Sequence, residues 1–425
     1  MVRISTLSTA MLAILVAAGV PLAEASAATK ASVGSHHRAV CPRAPAGSAS
    51  CASLVVTAAD GVRPLATSAP TGYGPADLAG AYGYPGAAQG PWVWNGKTVA
   101  IVDAFDNPNA DVDLAAYRSA YRLPPCTSAS GCFRKTSQSK RAKLPVPNVG
   151  WGQEIDLDTQ MVSAVCPGCK ILLVEANSAS FSDLGTAVNR AVALGANAVT
   201  NSYAGSESFL SSLFEGPYNH PGVAVTASAG DAGYGSAFPA SSPHVVAVGG
   251  TSLQIDPATK ARVAESAWSG GGSWCSDVFA QPSWQNAAVT ADPSGLACTN
   301  RTVADVAAVA DPNTGVAVYD SYGSTGGLNW YRFGGTSVSS PIVAALFARA
   351  GDAIANPSYP YPAKHLYDFR TALFDVTSGY NGNATNDCWP NTSDPYYLCH
   401  ADPTYVGERY DAPTGVGTPA GLGGF

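Results

Sequence analysis

The chain predicts an α/β fold: a mostly parallel central sheet with helices on both faces, forming a single large domain. Three observations carry this. Short apolar, β-branched runs bounded by turn residues recur along the chain, helical patterns lie between several of them, and the alternation continues from about residue 72 to 425 without an internal repeat. Strands that read as near-continuous hydrophobic runs belong to a parallel sheet buried on both faces. The runs are TVAIVDAF from Thr98, CKILLVEA from Cys169, NAVTNSYAG from Asn197, GVAVTASAG from Gly222 and HVVAVGG from His244. The helical patterns are ADVDLAAYRSAYRL, EIDLDTQMVSAV and DLGTAVNRAVALG.

Residues 1–27 read as a secretory signal peptide, with Arg3 before a short apolar run and Ala25-Ser26-Ala27 as a cleavage site. No later run is long enough to span a bilayer, so the expected product is a secreted, extracellular protein without a membrane partner. Ten cysteines suit an oxidising compartment and fall into neighbours along the chain. The pairs expected are Cys41 with Cys51, Cys126 with Cys132, Cys166 with Cys169, Cys275 with Cys298, and Cys388 with Cys399. CPGC at 166–169 also matches a redox motif or half a zinc site, but no second CxxC exists and the six histidines are scattered. Charged residues make up 12% of the chain and the net charge is -7, which argues against nucleic acid as a partner. Residues 28–71, rich in Ala, Ser, Pro and His, read as a short lead segment with little structure of its own.

GGTS occurs twice, at Gly249 and Gly334. Ser252 is followed by LQIDPATK, an alternating run into a turn, and reads as part of a β extension. Ser337 is followed by VSSPIVAALFARAG, an apolar helix whose early Pro341 suits a first turn. A hydroxyl there lies at the positive end of a helix dipole, beside unpaired N–H groups that can hold an oxyanion. An N-cap serine is the plainer reading of the same residue. A nucleophile needs a base, yet no histidine opens a helix in mid-sheet. In WGQEIDLDTQMVSAV, Glu154 and Asp158 are four residues apart and share one helix face, whereas Asp156 points elsewhere. Enclosed together, Glu154 and Asp158 would share a proton; in solvent they would be an ordinary acidic face.

These segments, GQEIDLDTQMVSAVCPGCKILLVEA, ASAGDAG, FPASSPHVVAVGGTSL, RTVADVAAVADPNTGVAVY and GGTSVSSPIVAAL, resemble in that order the sedolisin family of serine-carboxyl peptidases. The resemblance covers nearly all of residues 72–425. It implies a subtilisin-like fold and a serine endopeptidase that acts on polypeptides in acid through an acyl-enzyme. It also implies Ser337 as nucleophile, Glu154 as general base, Asp158 as its orienting carboxylate and Asp231 as the oxyanion-hole acid. Asp103, ending TVAIVD, is a supporting carboxylate or an ordinary strand-end aspartate.

The resemblance further implies one Ca2+ held by Asp375, Val376, Gly407, Arg409 and Asp411, of which Arg409 stands where the family places glycine. Tyr203 stands where the family often has tryptophan. The family's domain-sized prodomain has no counterpart in the short lead segment. A monomer is expected. Two rivals remain: a binding module that kept the fold and lost activity, and an esterase, which would want GxSxG and a late histidine, whereas the sequence around Ser337 lacks that elbow.

Overall fold

The computed structural model describes Met1 and residues 36–86, 96–140, 142–235, 237–285, 298–324, 326–382, 398–401 and 410–425. The expected signal peptide, residues 1–27, therefore lies outside the described residues, apart from Met1. In chain order the labelled elements are β1 (His37–Ala39), β2 (Ser50–Cys51), β3 (Leu54–Val56), α1 (Pro75–Tyr82), β4 (Thr98–Ala104), α2 (Ala110–Ala120), β5 (Phe133–Ser137), α3 (Val149–Val165), β6 (Lys170–Ala176), α4 (Phe181–Ala193), β7 (Ala198–Asn201), β8 (Tyr203–Ala204), β9 (Ala224–Ser228), β10 (Val246–Ile255) and β11 (Arg262–Ala267). Each of the five apolar runs forms one of these strands, because β-branched residues fit an extended backbone packed on both sides.

The central sheet has eight strands, ordered β11-β10-β9-β7-β4-β6-β5, with strand Val306–Val309 added to β10. Every pairing is parallel except β10 with β11. Helix α4 packs on β4 and β6, while α3 and the Thr336–Ala350 helix pack against one another and on the sheet. Parallel neighbours leave loops at the carboxyl ends of β4, β7 and β9, where sites gather in sheets of this kind. Ser35–Phe425 forms one compact unit.

Residues 36–71 differ from expectation. They are not a tail: β3 joins a four-stranded antiparallel sheet with β1, Trp330–Gly334 and Val316–Tyr319, and β2 pairs with β8. The sequence hides this because LVV is too short to read as a strand until its partners are known. Ala52, Ser53, Val55 and Val56 are buried.

Four expected disulfides are present, Cys41–Cys51, Cys126–Cys132, Cys166–Cys169 and Cys275–Cys298. CPGC is therefore a disulfide and supplies no zinc thiolates. Cys399 is also disulfide-bonded, whereas Cys388 lies outside the described residues. Among the described residues, no helix is long and apolar enough to cross a membrane.

Candidate active site

Helix α3 begins five residues before Glu154, where the Asn148 side chain accepts the Trp151 N–H at 3.0 Å. It is enclosed on every side, and Glu154, Asp156 and Asp158 are all fully buried. The solvated acidic face is thereby excluded. Buried polar side chains normally find partners, and several here do: Gln153 donates to Asp320 at 2.8 Å, and Gln160 donates to the Tyr319 carbonyl at 2.6 Å. Both carboxylate oxygens of Glu154 and of Asp158 make no hydrogen bond to the described residues. Enclosed carboxyl groups left without partners are expensive to fold around, which makes them candidates for function.

Around them the fold assembles the remaining candidates. Asp103, near the end of β4, is fully buried and lies opposite Glu175 across the β4–β6 ladder. Burial, then Glu154, then Glu175, push its carboxyl well above the usual range. Asp158 is raised by burial, by Asp103 and by Glu154, with the nearby Ser202 hydroxyl opposing. Glu154 is pushed up to about 8, chiefly by burial; the Ser337 and Ser53 hydroxyls beside it favour its ionised form, and Asp231 disfavours it. These hydroxyls stand near the carboxylate without meeting hydrogen-bond geometry.

Of Asp103, Glu154 and Asp158, Glu154 is the most easily ionised. Burial makes further negative charges among these three costly, so the first of theirs settles on Glu154.

Ser337 is the second residue of the Thr336–Ala350 helix, and the N-cap is Gly335. The N-cap reading of Ser337 therefore fails. Gly335 has φ 98°, and a Cβ there would stand 2.4 Å from the Ala52 carbonyl oxygen, so this position needs glycine twice over. Asp231, three residues past β9, meets the same turn. Its Oδ1 accepts from the Thr336 N–H at 2.7 Å and from the Thr336 hydroxyl at 2.9 Å, while its enclosed Oδ2 has no partner among the described residues. Burial pushes this carboxyl up to about 7 against the Thr336 hydrogen bonds. The residue keeps some exposed surface, but its Oδ2 does not. The Ser337 hydroxyl donates to the Ser202 carbonyl at 3.1 Å, and its N–H donates to the Ala52 carbonyl at 2.8 Å.

Five sequence-predicted residues, Ser337, Glu154, Asp158, Asp231 and Asp103, thus come together. Ser252 stands apart in β10, donating to Asp311 at 2.6 Å. Asp156 does turn away from Glu154, yet not to solvent. It accepts from the Asn107 amide at 2.8 Å and gathers with Asp113 and Asp320, one oxygen from each lying within 4.8 Å of the others. The Tyr203 hydroxyl donates to Asn201 at 2.8 Å inside the core.

Asp375, Val376 and Asp411 are described, whereas Gly407 and Arg409 lie outside the described residues. Sequence reasoning missed Ala52, Ser53 and Ser202 as neighbours of the site. The only available signal was the closely spaced Cys41 and Cys51.

An eight-stranded, mostly parallel sheet with a serine at a helix start beside buried carboxyl groups is a subtilisin-like arrangement, and a sequence comparison agrees. Residues 148–377 match the subtilase family, to which the chain belongs. Its relatives there are of the sedolisin kind. Kumamolisin from Bacillus sp. (strain MN-32) is 30% identical over 387 residues, 84% of this chain and 63% of that protein. Sedolisin from Pseudomonas sp. (strain 101) is 32% identical over 204 residues, 45% of this chain and 29% of its own. Among solved structures, Pseudomonas sedolisin, a serine-carboxyl proteinase complexed with two molecules of pseudo-iodotyrostatin, superposes with a TM-score of 0.64 at 23% identity. It covers 83% of this chain and 96% of that one. The chain spans under two thirds of the length of these curated relatives.

The carboxyl groups predict how stability depends on pH. Glu154 at about 8, Asp231 and Asp320 at about 7 and Glu175 at about 9 all sit above ordinary carboxyl values, with burial the first cause in each. The folded protein therefore holds protons that the unfolded chain releases above about pH 4. The stability these groups contribute is complete below that pH and is lost as pH rises through their folded values. Each contributes a slope of up to about 1.4 kcal/mol per pH unit. Urea unfolding at pH 5 and pH 8 should show the lower free energy at pH 8, with a smaller difference in Asp320→Asn. Equal stability at the two pH values would contradict the buried, protonated set.

Proposed function

We propose that the protein is a secreted serine endopeptidase that hydrolyses polypeptides in acid through an acyl-enzyme, with Ser337, Glu154, Asp158 and Asp231 as its machinery. The observation that carries this reading is the enclosed, unpartnered Glu154 carboxyl group together with the enclosed, unpartnered Oδ2 of Asp231 at the start of the Ser337 helix. Glu154 takes the Ser337 proton as the hydroxyl attacks a peptide carbonyl, then returns it to the leaving amine. Asp158 and Asp103 keep their own protons and orient Glu154. The tetrahedral oxygen is held by the Ser337 N–H and by protonated Asp231, whose Oδ2 is free to donate while Oδ1 stays fastened to Thr336.

The two carboxyl requirements oppose one another. Glu154 must be ionised and Asp231 protonated, so the reactive form carries one negative charge on the pair. Raising the pH removes the Asp231 proton from about 7 upward. An oxyanion donor is worth about 3 kcal/mol, so activity should fall as pH rises through that value. Residues 1–27 direct export, and the working form is a monomer.

We propose one bound Ca2+ near the C-terminus. Asp411 is buried and its carboxyl is raised by burial and by Asp375, although Thr414 donates to it from both its N–H and its hydroxyl. Two carboxylates that act on one another suit a hard cation, and Val376, next to Asp375 in sequence, would add its carbonyl. Gly407 and Arg409 would add backbone carbonyls.

Assays on denatured protein test the reading. Ser337→Ala should lower kcat at least about 10^4-fold, and Ser252→Ala should keep turnover while losing about 1 kcal/mol of stability. The wild-type profile should be bell-shaped, its alkaline limb falling as Asp231 loses its proton, and Asp231→Asn, which cannot ionise, should lose that limb. An alkaline limb that Asp231→Asn leaves unchanged would remove Asp231 from the oxyanion hole. For calcium, chelation and Asp375→Ala should each lower Tm; an unchanged Tm in both would exclude the ion.

A further inference from the structure

The occupant of the cleft is the chain itself. Strand β2 runs antiparallel to β8, with Ser50 opposite Ala204 and Cys51 opposite Tyr203. The next residue continues the ladder, since the Ala52 N–H donates to the Ser202 carbonyl at 3.1 Å. Three consecutive residues thus lie extended along the segment after β7, as a peptide does when it adds a strand to an open edge.

The Ala52 carbonyl then turns into the site. It accepts the Ser337 N–H at 2.8 Å, and it presses on Gly335 from the same side as the unpartnered Oδ2 of Asp231; a Cβ on Gly335 would meet the two oxygens at 2.4 and 2.5 Å. The following residue, Ser53, is 1% exposed and sets its hydroxyl beside Glu154. The carbonyl therefore occupies the oxyanion position, and the bond after it faces the base.

We propose that residues 40–53 are an inhibitory loop bound in the manner of a substrate, with Ala52–Ser53 as the bond presented to Ser337. This rests on the peptidase reading above.

The loop is anchored on both sides of that bond. Upstream, the Cys41–Cys51 disulfide closes the loop one residue before Ala52, with the two Cα atoms 5.5 Å apart. Downstream, Ser53 leads directly into β3, whose Leu54 and Val55 pair with Gly334 and Phe333 and whose three residues also pair with β1. A cavity of about 510 Å³ remains beside the loop, walled by Arg43 and Ala44 on one side and by Gly230 and Tyr234 on the other.

Anchoring decides the chemistry. In the forward step the Ser337 Oγ–C bond to Ala52 forms, the Ser337 proton passes through Glu154 to the Ser53 nitrogen, and the Ala52–Ser53 C–N bond breaks. An ordinary leaving amine would diffuse away and water would release the acyl group. Here the Ser53 amine is fixed to the sheet beside the acyl carbon, so its effective concentration far exceeds that of a free peptide. The reverse attack re-forms the bond and returns the proton to Ser337. The loop is cut slowly and kept, and a polypeptide reaches the site only when the loop leaves β8.

The test uses the full secreted chain and two loop variants, Ala52→Pro, which removes the N–H given to Ser202, and the Cys41→Ser/Cys51→Ser pair, which opens the loop. Each is made with Ser337 intact and with Ser337→Ala. In the Ser337→Ala background, hydrogen exchange of segments 202–205 and 335–338 should rise about tenfold or more in both loop variants, independently of catalysis. With Ser337 intact, the loop variants should cleave denatured protein about tenfold faster than wild type. Wild type held in acid should contain a fraction cut between Ala52 and Ser53, with both parts co-eluting until denatured, and Ser337→Ala should contain none.

Unchanged exchange in both loop variants would overturn the placement of the loop, and wild type as active as the loop variants would overturn its inhibitory role. Loop variants that free exchange but show no activity in any form would instead overturn the peptidase reading on which that role depends.

Discussion

Helix α3 removes Glu154, Asp156 and Asp158 from water together, and the free energy of ionising carboxyl groups in that enclosure governs the rest of the site. An ion transferred from water into a protein interior loses solvation that only a counter-charge or a set of donors can replace. No such replacement surrounds Glu154 or Asp158, whose oxygens are unpartnered among the described residues. The protonated forms therefore dominate, and a charge placed on one member raises the pKa of its neighbours. Asp103 extends this enclosure into β4, and Glu175 continues it across the ladder, where Lys135 at 3.7 Å is the nearest ion-pair partner among the described residues.

On the proposed peptidase reading, the same constraint gives the serine's place at a helix start its use. A carboxylate base without a counter-cation can be ionised only sparingly, so the site needs a strong means of stabilising the oxyanion. The Thr336–Ala350 helix supplies a backbone N–H at its positive end. Asp231 supplies a second donor for as long as burial keeps it protonated. Its attachment to Thr336 through Oδ1 aligns the two donors on one turn, and Gly335 leaves room for the carbonyl between them.

Five strands of the central sheet were legible because each is an apolar, β-branched run, whereas the largely polar β5 and β11 and the short Val306–Val309 were not; Glu154 with Asp158 were legible because a four-residue spacing is a helix face. Asp156 was not: its role depends on Asp113 and Asp320, which are distant in sequence and meet only when α2 and the Val316–Tyr319 strand close over α3. Residues 36–71 were misread for a related reason. Their strands are two or three residues long and gain order from partners more than a hundred residues away. Short extended segments carry no periodicity, so pairing of this kind cannot be read locally. The segments after the two GGTS sites were legible because each, a helix in one case and the end of a strand running into a turn in the other, has a local pattern.

The central claim is that buried carboxyl groups at this site remain protonated at pH values where exposed ones are ionised. Infrared difference spectroscopy reads this directly, because a protonated carboxyl has a C=O stretch that a carboxylate lacks. At pH 6 the folded protein should show protonated-carboxyl bands, with one component missing in Asp231→Asn and another in Glu154→Gln. A spectrum at pH 6 with no protonated carboxyl, or one that neither substitution changes, would contradict the account.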